Sequence, residues 1–186
     1  MSNSISRLIL AGATWAALSG LSFAQSNPPV GAGVRTANSS VQDADLMKAI
    51  EVNVAEVDMG KMAETRAQNA KVKAFAQKMV KDHNEALTKL KAIPGAPTTE
   101  VKPNAEHQKA AAMTAKMTGA SFDKDYIDMM VTGHQDAVDF FEQQSLKDTN
   151  PSSTNTLASV SKEVLPTVRE HLKEAQDLQK EVGTER

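Results

Sequence analysis

Four residues of this chain carry side chains able to hold a metal ion and fall at the middle of helix-forming stretches, on or beside the apolar face of each: Glu56, His83, His134 and His171. Two of the sites repeat one another. Phe75-x3-Met79-Val80-x2-His83-x2-Ala86-Leu87 returns as Tyr126-x3-Met130-Val131-x2-His134-x2-Ala137-Val138. A histidine inside an apolar stripe must find a partner or stay neutral, so three of them meeting in one interior point to a ligand set. Met79 and Met130 stand one helical turn before His83 and His134, on the same face. Thioether with imidazole is a soft set that suits copper, and three imidazoles with Glu56 suit a mononuclear zinc or nickel ion equally well. The same spacing speaks against a di-iron centre. Such a centre needs Glu-x2-His pairs, whereas the residues three before the histidines are Val80, Val131 and Val168.

Each of these residues also has a plainer role open to it. Methionines at helical spacing are more often core filler than ligands, and Met113-x3-Met117 shows how freely this chain uses them. Glu56 can serve simply as the partner of one protonated histidine. His107 sits among polar neighbours and reads as surface, while Asp82, Asp136 and Asp139 point about 100° or more away from the histidine stripe, toward solvent. No nucleophile elbow, phosphate-binding glycine loop or Cys-x2-Cys pair occurs, and no spacing links serine and histidine into a triad.

The elements that must position these residues are helices. Leu46, Ile50, Val54 and Val57 form one stripe, and Ala49, Asn53, Glu56, Gly60, Ala63 and Ala67 form a stripe of mostly small residues beside it. The periodicity predicts helices near 43–67, 69–93, 121–147 and 155–182, with Ser121 as a cap of the third and Pro166 kinking or restarting the fourth. Residues 94 to 120 are too long for a hairpin turn and read as a crossover that runs the length of the bundle, with a short helix near 104–118. The expected fold is all-α, an up-and-down four-helix bundle with a long crossover. Counted from the turn near 68, Glu56 and His83 differ in height by only ~3 Å, and from the turn near 151 His134 and His171 differ by ~4.5 Å. All four therefore reach toward one layer.

The first residues speak to compartment. One basic residue, Arg7, precedes an apolar run from Leu8 to Leu21, and Ser22-Phe23-Ala24 places small residues at the −3 and −1 positions of a cut after Ala24. The run is about 14 residues, short of the ~20 needed to span a bilayer. We read residues 1–24 as a signal peptide, 25–41 as a disordered arm rich in Pro, Gly, Ser and Asn, and 42–183 as the helical domain. A periplasmic location fits this best, with secretion to the outside or association with the outer membrane as the alternatives, and no transmembrane anchor is expected. Of 21 basic and 23 acidic residues only Arg7 falls in the signal peptide, so the mature charge is 20 − 23 = −3. That balance leaves no basic patch for nucleic acid. The absence of cysteine excludes a disulfide framework. A core with one Tyr and five Phe in the whole chain must be built from Ala, Val, Leu, Ile and Met, a helical vocabulary.

The strings AEVDMGKMA, KVKAFAQKMVKDH, FDKDYIDMMVTGHQDAVDFFE and LPTVREHLKEA, in that order across roughly residues 43 to 180, resemble those of the bacterial family called Domain of Unknown Function 4142. The resemblance implies a ferritin-like bundle in exported proteins, some of them described as outer-membrane proteins, with no settled activity. Three classes of function follow from the residues. The first is a bundle that binds or buffers a transition metal (copper, zinc or nickel) at Glu56, His83, His134 and His171 with Met79 and Met130 as optional soft ligands. The others are a structural or stress-related interaction module whose polar centre only fixes packing, and an enzyme with a mononuclear metal. Protein partners and oligomeric state are open at this level.

Overall fold

The computed structural model describes residues 37–148, 150 and 152–183, with side chains from residue 43 onward, and among these residues there are four long helices and one short one. All of these residues belong to the unit Arg35–Arg186. The expected signal peptide and the arm as far as residue 36 lie outside the described residues. Helix α1 spans Ala37–Arg66 and α2 spans Ala70–Lys91. The crossover carries α3, Ala105–Thr114, and is followed by α4, Gly119–Ser145, and α5, Leu157–Val182. No strand occurs among the described residues, and no described helix is long and apolar enough to cross a membrane.

Several boundaries differ from the sequence expectation. Helix α1 begins ahead of Asp43 and takes in the last residues assigned to the arm, because extending a nucleated helix costs far less than starting one. Helix α3 is shorter than expected, and α4 begins at Gly119, with Thr118 and not Ser121 at the N-cap position and no capping bond from its side chain. Gly119 has φ +61, a left-handed conformation that lets the chain turn into α4 where a β-carbon would crowd the Gln68 side chain. Helix α5 runs without a restart through Pro166, since Val164 and Val168 on either side are both buried and hold the two halves in one contact surface.

Local signals explain where α2, α3 and α5 start. Asn69 caps α2 by accepting from the N–H groups of Lys71 and Val72, and Asn104 caps α3 through Glu106 and His107. Thr156 and Ser159 form a reciprocal capping box at the start of α5. A further cap comes from far along the chain. The buried carboxylate of Asp123 on α4 accepts from Gln68 N at 3.0 Å and from Asn69 N at 2.7 Å, pinning the α1–α2 turn to the start of α4.

That contact fixes the topology. Helix α2 leaves the α1–α2 turn, and α4 starts at that same end, so α2 and α4 run in the same direction and the crossover spans the bundle. Lys71 at the start of α2 pairs with Glu181 at the end of α5, and Lys147 beyond α4 pairs with Asp45 near the start of α1. Helices α1 with α2 and α4 with α5 thus form two antiparallel hairpins, joined along the α2–α5 and α1–α4 seams.

The small-residue stripe of α1 does what its composition predicts. A β-carbon at Gly60 would stand 2.7 Å from Val80 Cγ2 and 3.3 Å from the Ala76 carbonyl, so α1 and α2 touch nearly backbone to backbone. Gly60→Val is expected to cost about 1–3 kcal/mol through overpacking, measured as a lowered urea midpoint with unchanged slope. An unchanged midpoint would show that the seam has slack.

Two apolar clusters fill the interior. One holds Phe75, Met79, Phe122, Tyr126, Met130, Ala175 and Leu178, and the other Ile50, Leu87, Leu90, Phe141, Val164 and Val168. On α2, α4 and α5 the residue lying between the two clusters is a histidine: His83, His134 and His171. The bundle is divided at mid-height by a polar layer.

Candidate metal centre

The three imidazoles form a nearly equilateral group. Ring centroids are 5.6 Å apart for His83 and His134, 5.5 Å for His83 and His171, and 5.4 Å for His134 and His171. All three residues are buried, and one ring nitrogen of each lies within 4.8 Å of the others. An equilateral triangle with that edge has its centre about 2.8 Å from each corner, against about 2.0–2.1 Å for a zinc–imidazole bond, so inward shifts of about 0.7–0.8 Å close the shell.

Hydrogen bonds on the outer nitrogens determine which nitrogens face inward. Asn53 Nδ2 donates to the Ala49 carbonyl at 2.8 Å, which orients the amide so that its Oδ1 faces His83. His83 Nδ1 then donates to that oxygen at 2.8 Å. His134 Nδ1 is 2.9 Å from the Met130 carbonyl, which can only accept. His171 Nε2 lies 3.0 Å from Asp82 Oδ2 and donates to it. Each neutral ring therefore carries its proton on the outside. His83 Nε2, His134 Nε2 and His171 Nδ1 are left as buried acceptors, and none has a hydrogen-bond partner. An unsatisfied buried acceptor costs about 1–3 kcal/mol, and here there are three.

The electrostatics keep these lone pairs available. Burial pushes the His83 imidazolium well below the ordinary histidine range, and the neighbouring charges of His134 and His171 push it further. Burial and His171 bring His134 down to about 4, against a small opposing effect of its bond to the Met130 carbonyl. His171 is also lowered by burial, although its bond to Asp82 works the other way. Neutral imidazole is the form that binds metal. An onset of proton competition near pH 6.5, expected for unperturbed rings, is accordingly moved to lower pH.

Of the residues singled out from the sequence, the structure brings three together and separates the others. Glu56 lies outside the group of mutually reachable ligand atoms. It turns toward α4, where its Oε1 would stand 3.3 Å from a β-carbon on Gly133, and its Oε2 is buried with no partner. Both phase and height separate it, since Asn53 bonds His83 in the layer and Glu56 stands ~4.5 Å further along α1. Asn53, three residues earlier, faces the layer, and Glu56 is rotated about 60° from it around the helix. Met79 and Met130 are buried in the apolar cluster with Phe75, Phe122 and Tyr126, where they fill space among aromatic rings.

Two residues of the site carried weaker signals. Asn53 belongs to the small-residue stripe of α1, where a lone amide among Ala and Gly is itself a mark of a specific partner. Asp82, expected on a solvated face, is largely shielded and bonds His171, because the direction 100° from His83 on α2 points at α5 and not at water. A cleft of about 160 Å³ lined by Asn53, Asp82, His83 and His171 opens the layer to the surface between α2 and α5. Glu85, Glu163 and Glu170 share its walls with Lys89.

The bundle is similar to a crystal structure of a DUF305 fragment from Deinococcus radiodurans, with a TM-score of 0.62 at 14% identity, over 75% of this chain and 95% of that one. At that identity the likeness concerns the fold alone. Among curated proteins none matches the chain. The helices and the polar layer fall almost wholly within residues 28–178, which match the family described as domain of unknown function DUF4142, and the chain belongs to that family.

Proposed function

We propose that this protein binds one transition-metal ion between His83, His134 and His171, and acts as an exported metal-binding module of the periplasm. The observation that carries the reading is the convergence of three buried, partnerless ring nitrogens, each on a ring whose other nitrogen donates to a carbonyl, amide or carboxylate oxygen. Outer partners of that kind orient imidazole ligands and raise their basicity. Three neutral imidazoles suit a divalent ion of the zinc, nickel and copper group, with Cu(II) bound most tightly by the general order of such ions. The fourth position of a tetrahedral shell is left to water or another small ligand. The cleft between α2 and α5 gives the ion its path from the surface. The signal-peptide pattern of residues 1–24 supports the location.

Calorimetric titration of metal-free protein with Cu(II), Zn(II), Ni(II) and Cu(I) tests the reading. One ion per chain is expected, with affinity lowered at least ~100-fold by alanine at any of the three histidines, beyond the roughly 10–100-fold expected for Asn53→Ala or Asp82→Ala, which remove only an orienting partner. Met79→Leu and Met130→Leu should leave zinc and nickel affinity unchanged and would weaken Cu(I) only if a sulfur joins the shell. Binding no tighter than ~1 mM for every ion would leave the layer as a packing device.

A further inference from the structure

A second cavity, of about 850 Å³, opens between α1, the crossover with α3, and α4. Its walls are mainly apolar, with Met59 from α1, Val101 and Ala111 from the crossover, and Met129 from α4. The volume falls within the roughly 300–1,000 Å³ of small-molecule sites. Glu56 reaches into it. The carboxyl is buried, Oε2 has no hydrogen-bond partner, and Gly133 is the residue that leaves space for Oε1. The charged residues around the cavity are predominantly acidic: Glu56, Asp58, Glu100, Asp125 and Asp128 against Lys102. Asp125 and Asp128 already hold partners, the Thr114 hydroxyl for the one and Lys124 with Gln179 for the other. Glu56 is the acid set deepest in the apolar wall with an oxygen still to satisfy.

We propose that this cavity is a binding site for an organic amine with an apolar body, its ammonium donating to Glu56 and its hydrocarbon lying against Met59, Val101, Ala111 and Met129. A buried carboxylate is poorly tolerated alone and well tolerated beside a cation that hydrogen-bonds it. An anion would face that carboxyl and an acidic rim, and an uncharged apolar molecule would leave Oε2 unsatisfied. Burial holds the Glu56 carboxyl up to about 8, so the empty site is mostly protonated at neutral pH and ammonium binding expels that proton. Met130 lines the cavity and its carbonyl accepts from His134, but none of His83, His134 and His171 lines it, so each reading has its own test.

The probes are n-octylamine, octanol and octanoate, titrated calorimetrically into the full-length mature protein at pH 7 in buffers of different ionisation enthalpy. Octylamine is expected to bind with Kd below ~1 mM and to release protons, with octanol and octanoate at least tenfold weaker. Glu56→Gln, nearly isosteric, should reduce octylamine to the level of octanol and abolish the proton release. Ala111→Phe, which fills the cavity and leaves Glu56 in place, should block all three probes, while His134→Leu should leave amine binding intact whether or not the protein binds metal. Equal binding of octanol or octanoate, unchanged amine affinity in Glu56→Gln, or no octylamine binding by ~1 mM would overturn the assignment.

Discussion

Replacing His134 with leucine is expected to abolish tight metal binding and at the same time to strengthen the metal-free fold by about 1–3 kcal/mol. The two effects have one cause. His134 Nε2 is a buried acceptor with no donor, and leucine of similar bulk removes it without stranding any other group. The outer partner of the ring is the Met130 carbonyl, which sits within α4 and keeps its helical bond. A buried polar group held in place for a ligand should cost stability until the ligand arrives, and metal at 100 times its Kd should then return about 2.7 kcal/mol to the wild type. His83→Leu should gain less, because it strands the Asn53 amide oxygen, and His171→Leu less again, because it leaves the Asp82 carboxylate unpaired. Urea unfolding of metal-free wild type and the three leucine variants measures this ordering. If His134→Leu proves destabilised by several kcal/mol, the inward nitrogen has a strong partner in the resting protein and the lone-pair argument fails.

Acid should unfold the metal-free protein over a defined window. His134 is lowered to about 4 from its ordinary 6.5. Between those values the unfolded chain binds a proton that the folded one refuses, so stability is fully present above pH 6.5 and is lost as pH falls through about 4. A shift of that size corresponds to roughly 3 kcal/mol for His134 alone, and His83, lowered in the same direction, adds to it. Glu56 works with the opposite sign. Its carboxyl is raised from 4.5 to about 8, so its contribution is complete below pH 4.5 and is lost as pH rises through about 8. Stability should therefore decline on both sides of an intermediate pH. His134→Leu should flatten the acid limb, and Glu56→Gln the alkaline one. Urea midpoints measured from pH 4 to 9 decide the matter, and an acid limb that survives in His134→Leu at full size would assign it to other groups.

Much of this was legible along the chain because it depends on periodicity, which is local. Helix content, the hairpins, the crossover and the close α1–α2 approach at Gly60 follow from the spacing of apolar and small residues and from the turn residues between them. The same reasoning puts His83 and His134 inward, each in the middle of its own apolar stripe, and leaves the inward position of the fourth helix between His171 and Leu172, which the structure gives to His171. Glu56 lay on the margin between two faces. There a rotation of about 60° decides between the interior and the seam with α4, and no local pattern on α1 states where its neighbours stand. Asp82 was misjudged for the same reason, since a direction away from the core is solvent only if no helix occupies it, and here α5 does. Asp123 supplied no signal near its targets, because the N–H groups that it holds belong to a turn 54 and 55 residues away in sequence. Sequence by itself determined which apolar stripes are buried, because burial on a helix is written every three or four residues. Only the tertiary structure decided which oxygen meets which nitrogen. That choice depends on how far each helix is rotated against its neighbours, and the rotation is set by the packing of all of them at once.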